Sequence, residues 1–201
     1  MNGCKNFKGR YQWRHRAVLD YIGKCLEKNP DIDGKSWSAF RCYLDVPGRR
    51  THDDGTVPDQ LLQTSAKPDI FILDQRDHLT KYAKKALFYA EKPLKLHFFR
   101  PDVVIVDLTI PWDDRVDAAR SEKLAKFSKL VAAIKKNEAF NVNYQSIEIG
   151  SYRQRLSDGS EAAIKLIYSF VSQKISYDSF RSNIISLVNC CSYEVSFFIL
   201  N

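Results

Sequence analysis

An α/β domain with a central mixed sheet flanked by helices is the fold class this sequence predicts, and three observations predict it. Two apolar runs each follow a Pro-Asp pair, "KPDIFILD" (67–74) and "PDVVIVDLTIP" (101–111), and read as strands buried on both faces. A third run, "FNVNYQSIEIGS" (140–151), reads as another strand. Around these runs the apolar residues change to helical spacing, so strands and helices alternate along the chain.

The elements follow in order. Residues 12–28, "QWRHRAVLDYIGKCLEK", space Trp13, Val18, Leu19, Ile22 and Leu26 as an amphipathic helix, which the turn cluster "NPDIDG" ends. Residues 36–66 mix short apolar pieces with Gly, Pro and Asp and read as irregular, with one strand at "SAFRCYLDV". After the first Pro-Asp strand, the basic stretch 79–98 reads as an inserted amphipathic helix. "PWDDRVDAARSEKLAKFSKLVAAIKK" (111–136) is a long helix with acids in its first turn and lysines in its last, as the helix dipole favours. "SEAAIKLIYSFVSQKI" (160–175) and "SFRSNIISLVNCC" (179–191) are further helices. The chain thus divides into 1–160, which carries the sheet, and a C-terminal helical extension, 161–201.

Composition narrows the function classes. With 201 residues and 44% hydrophobic content, the chain has enough apolar surface for one substantial core. No apolar run reaches the roughly 18 residues that span a bilayer, and the N-terminus has no apolar leader, so no membrane partner is expected. The five cysteines (Cys4, Cys25, Cys42, Cys190, Cys191) form no C-x-x-C pattern and predict a reducing, intracellular compartment. The net charge is +7 and the pI about 9.1. Positive residues gather in "CKNFKGRYQWRHR", in 80–100 and in 120–136, and aromatics are interleaved with the first two. Lys and Arg meet phosphates while exposed rings stack on bases, so this pattern suits nucleic acid, although a merely solvated basic surface reads the same way. The candidate nucleic-acid contacts are Arg10, Arg14, His15, Arg16, Lys67, Arg100 and Arg115.

One acid resists a bland explanation. Asp107 has apolar neighbours on both sides, and a buried carboxylate is costly unless it is paired or holds a cation. If the two Pro-Asp runs pair, Asp69 and Asp107 converge as the hard-oxygen site that Mg²⁺ or Mn²⁺ takes, completed by waters and phosphate. The next helix presents Lys123 and Lys126, three residues apart and so roughly on one face, and Glu148 could add an acid from the third strand. Taken singly, Asp69 is also a turn residue, Asp113 and Asp114 are helix N-terminal acids, and helix lysines are solvated. Asp102 lies five residues before Asp107, an odd separation that puts the two on opposite faces of a strand. Asp69 is therefore the preferred first acid and Asp102 a turn residue at the strand's start, with the choice between them open.

Five stretches in order, "NGCKNFKGRYQWRHRAVL" (2–19), "AKPDIFILD" (66–74), "VIVDLTIPWDDR" (104–115), "AARSEKLAKF" (118–127) and "IEIGS" (147–151), resemble the restriction-enzyme-like endonuclease of non-LTR retrotransposon polyproteins, which lies downstream of the reverse transcriptase. The resemblance implies a PD-(D/E)xK nuclease fold, with Asp69 and Asp107 as metal-binding acids. It implies Lys123 as the catalytic lysine, displaced from strand to helix, with Lys126 as its alternate. It also implies nuclear or intracellular DNA as the partner. Cys4 matches the last ligand of a zinc knuckle whose other ligands are not in this chain, so no zinc is expected. One departure is length: the family joins its two acid-bearing strands by a short hairpin, whereas 37 residues separate Asp69 from Asp107 here. Three functions compete: a metal-dependent endonuclease that nicks DNA, favoured by the intact acid–acid–lysine set; an inactive transposon remnant that only binds nucleic acid, favoured by the insertion; and a partner-binding module that docks through its apolar C-terminus.

Overall fold

A computed structural model describes residues 5–28, 40–45, 68–74, 102–136, 140–153, 155–171 and 174–197. Its four strands are β1 (Phe40–Leu44), β2 (Ile70–Asp74), β3 (Asp102–Thr109) and β4 (Asn141–Glu148), and they lie side by side in chain order. The pairs β1–β2 and β2–β3 are antiparallel and β3–β4 is parallel, so the sheet is mixed. Parallel neighbours need a crossover, and helix α2 (Val116–Lys136) supplies it after a 3-10 turn at Asp113–Arg115. Helix α1 (Lys5–Glu27) precedes the sheet, while α3 (Ser160–Tyr168) and α4 (Tyr177–Phe197) follow it.

Strand parity divides the apolar residues between two faces. Phe71, Leu73, Val103 and Ile105 pack under Phe127, Leu130 and Ile134 of α2. Ile70, Ile72, Val104, Val106 and Leu108 pack against Leu19 and Ile22 of α1, Ile164 of α3, and Phe180 and Ile184 of α4. Among the described residues, one helix lies over one face and three over the other. The C-terminal helices extend the core of α1 rather than form one of their own, so Phe180, Ile184 and Val188 are interior residues, while the side chains of 191–201, the apolar C-terminus expected as a docking surface, lie outside the described residues. Cys42 is also interior, and burial pushes its thiol up to about 12, which leaves it inert.

Element boundaries depart from the sequence reading for local reasons. Helix α1 begins at Lys5 rather than 12, because its first turns lack the apolar rhythm that marks the rest. Trp13, expected on the core stripe, is 47% exposed. The helix expected over 160–175 stops at Tyr168, where Phe170 and Val171 donate to the carbonyls three residues back and tighten the turn. Ser176 then caps a new helix, its hydroxyl accepting from the Ser179 N–H at 3.2 Å. That helix runs to Phe197, beyond the expected end at 191. Asp102 is the exposed first residue of β3 rather than a turn residue.

β2 and β3 meet at the register pair Asp74–Asp102. The connection 75–101, with the helix expected over 79–98, lies outside the described residues, but the chain leaves and returns at that pair. Among the described residues no helix is long and apolar enough to cross a membrane.

Candidate active site

The antiparallel register pairs Ile70 with Val106, so Asp69 stands one step on, beside Asp107. β2 ladders only as far as Ile70, which leaves the Leu108 N–H and C=O without the strand partner they would otherwise bond. Two side chains take its place. Asp69 Oδ2 accepts the Leu108 N–H at 2.7 Å, and His15 Nε2 lies 3.1 Å from the Leu108 carbonyl oxygen. His15 Nε2 also lies 3.0 Å from Asp69 Oδ2. His15 reaches this point because it stands three and four residues before Val18 and Leu19, at the head of the apolar stripe of α1.

Asp107 shares the α2 face of β3 with Val103 and Ile105, and it is only 1% exposed. Its partner is Lys123, whose ammonium forms an ion pair with Oδ2. Helical spacing explains the aim. Lys123 continues the buried row Phe127, Leu130 and Ile134 one turn toward the N-terminus, where the row points at the sheet. Lys126 leaves that row. It is exposed, and its ammonium sits over the Phe127 ring, 4.6 Å from the centroid, so the two lysines do not meet at one point.

Charges and burial work against each other here. Burial, then the charge of Asp69, raises Asp107 to about 6, with Lys123 opposing. Burial would also raise Asp69, but the hydrogen bond and charge of His15 and the Leu108 N–H outweigh it, so its pKa is lowered. For His15, burial pulls downward and the Asp69 hydrogen bond and charge pull upward, and the upward pull wins. Two acids are thus held side by side, one ionised easily and one reluctantly, with His15 against the first and the Lys123 ammonium against the second.

β4 closes the site from the other side. Ser146 is the register partner of Asp107. Tyr144, on the same face, stacks on Phe127 with centroids 5.3 Å apart. Burial, then the charges of Asp107 and Glu148, raises the pKa of its hydroxyl. Glu148 is fully buried and bound elsewhere: its Oε2 accepts from the hydroxyls of Ser157 and Ser160. The sequence reading missed Tyr144, although its even spacing from Ser146 and Glu148 was a signal that all three share a face.

The chain matches no family model and no curated protein.

The expected nucleic-acid contacts fare unevenly. Arg14 is buried, and His15 turns inward to Asp69, so neither is the open phosphate contact expected of the basic N-terminal cluster. The charge run hid the helical stripe to which His15 belongs. Arg16 is exposed, and Arg115 is exposed with a weak 3.4 Å pairing to Glu122. The side chain of Arg10, together with Lys67, Arg100 and Cys4, lies outside the described residues. Asp113 stands, as expected, in the first turn leading into α2, and it also accepts the Arg153 N–H with both oxygens at 3.0 Å.

Arranged in this way, Asp69 and Asp107 form an oxygen-donor pair of the kind a small hard cation takes with waters and a phosphate. Burial and the neighbouring charge of Asp69, which together raise Asp107, are both relieved by a cation there. No group of three His, Cys, Asp or Glu side chains among the described residues forms a metal cage, so the pair's remaining positions would fall to water and substrate.

Proposed function

We propose that this chain is a restriction-enzyme-like DNA endonuclease domain of a retrotransposon-derived protein, dependent on Mg²⁺ or Mn²⁺. One observation carries the reading: Asp69 and Asp107 stand side by side on neighbouring strands, and the crossover helix delivers Lys123 to Asp107. A bound divalent cation would supply Lewis-acid polarisation of the phosphodiester and a more acidic water. Asp69 and Asp107 would hold it. With the charge of Asp107 taken up in that way, the Lys123 ammonium is left to offset the negative charge gathering on the phosphate as water adds and one P–O ester bond breaks. The basic surface would bring in the DNA backbone.

The long connection between the acid-bearing strands does not weigh against activity, because it departs from the Asp74–Asp102 pair at the far end of both strands. The experiment is plasmid nicking with Mg²⁺ or Mn²⁺ by the whole chain and by Asp107→Ala. The wild type should nick and the variant should not. Equal products from both, or none from the wild type, would refute the endonuclease reading.

A further inference from the structure

We propose that His15 is a positioning residue: its imidazole N–H, shared between Asp69 Oδ2 and the Leu108 carbonyl, holds the first acid so that Oδ1 is the oxygen turned to the cation. The inference rests on Asp69 being a cation ligand, as proposed above.

The atoms fix the roles. His15 Nε2 faces two oxygens at once, Asp69 Oδ2 at 3.0 Å and Leu108 O at 3.1 Å. A peptide carbonyl only accepts, so Nε2 must carry a hydrogen, since a bare nitrogen there would set lone pair against lone pair. A protonated Nε2 has no electron pair for a metal and accepts no proton. His15 is therefore neither ligand nor base through this atom, but a donor.

That donor completes a triangle. Asp69 Oδ2 also takes the Leu108 N–H at 2.7 Å, so two hydrogens occupy this one oxygen. Leu108 follows Asp107 in the chain, and its peptide gives its N–H to Asp69 and its carbonyl to His15. The first acid is thereby referenced to the backbone of the second. With Oδ2 committed, a cation shared with Asp107 is met by Oδ1 in one orientation, without the rotamer search that a loose carboxylate would need. Burial makes the arrangement stiff: the Asp69 and His15 side chains are 10% and 21% exposed.

Capping the strand end is a purely structural role that would leave metal affinity untouched, and this separates the two. Mn²⁺ binding to the whole chain is measured by electron paramagnetic resonance of the free ion, for wild type, His15→Leu and His15→Gln, with circular dichroism melts beside it. Glutamine carries an amide N–H at similar reach, and leucine carries none. His15→Leu should weaken Mn²⁺ binding about 10–100-fold, the usual effect of losing a donor behind a metal ligand. His15→Gln should recover most of that loss. In nicking assays the Mn²⁺ concentration at half-maximal rate should rise in His15→Leu while the rate at saturating Mn²⁺ changes little. If His15→Leu fails to fold, His15→Asn, a donor too short to reach, takes its place. Leucine and wild type binding Mn²⁺ equally, glutamine no better than leucine, or a wild type that binds no Mn²⁺ each overturns the proposal. A wild type whose Mn²⁺ binding follows the expected order but which never nicks DNA supports the positioning role and overturns the nuclease reading instead.

Discussion

At the scale of single residues, two positions show how a helix stripe announces chemistry. Lys123 and His15 each occupy a place where the apolar row of their helix calls for a hydrophobic side chain, and each turns inward to an acid. Lys123→Ala should lower the nicking rate about 100-fold, the scale of losing one charge-stabilising donor. Lys126→Ala, which removes an exposed ammonium resting on a ring, should leave the rate within about threefold of wild type. A kinetic comparison at saturating Mg²⁺ decides between them, and equal losses would contradict the assignment to Lys123. Asp107 permits a second test. Its folded value of about 6 lies above the roughly 3.9 of an unfolded aspartate. Its stabilising contribution is therefore present below about pH 4 and is lost as pH rises through about 6. Asp69 is shifted downward, so its own contribution is lost only under more acid conditions. In EDTA, Asp107→Asn should melt above the wild type at pH 7, with the gap closing toward pH 4. Identical melting curves at pH 7 would remove the strain assigned to this acid. Both acids and Lys123 were legible in the sequence because a charged residue inside an apolar period has few bland explanations. His15 was not, because "RHR" reads as surface charge before it reads as part of a stripe.

At the scale of elements, the turn after β4 sets the seat of the crossover helix. The Gly150 N–H donates to Arg155 O at 2.7 Å and the Ser151 N–H to Pro111 O at 2.9 Å. The Arg155 guanidinium reaches Asp117 at 2.7 Å, and Asp113 holds the Arg153 N–H. These bonds lash the turn to the start of α2, and so to the angle at which Lys123 approaches the sheet. Gly150 is required by space: a Cβ there would lie 2.0 Å from Asp113 Oδ1. Gly150→Ala should cost about 1–3 kcal/mol, the usual range for overpacking, read by urea unfolding. Retained stability would mean that Asp113 swings aside freely. The strands were legible from apolar runs and flanking Pro-Asp pairs, whereas the helix ends were not. They depend on a hydroxyl cap at Ser176, a tightened turn at Phe170 and a polar first stretch in α1, none of which alters apolar periodicity.

At the scale of the whole molecule, charge and topology each make a statement. Under the proposed function, and with a net charge of +7, DNA affinity should fall steeply with salt, since each Lys or Arg that meets a phosphate releases counterions. Titration at several salt concentrations checks this, and a flat response would argue against phosphate contacts. Topology concerns the 75–101 connection. Even a threefold lengthening of such a loop costs only about 1 kcal/mol of closure entropy. Replacing 75–101 by Asn-Gly, a two-residue turn suited to a hairpin, should leave the fold and Mn²⁺ affinity intact. Loss of Mn²⁺ binding in a folded variant would show the connection to be part of the site. The pairing of the two Pro-Asp runs was legible because both had to find neighbours, but the exposed basic surface was not, because a count of basic residues does not say which of them face inward, as Arg14 does. From Asp69 to Asp74 the strand spans about 17 Å at about 3.4 Å per residue. The strand pair therefore has an acid-bearing end and a connecting end, and a fluorophore, an affinity tag or a fused targeting domain spliced into the connection would join the sheet about that far from the Asp69–Asp107 pair.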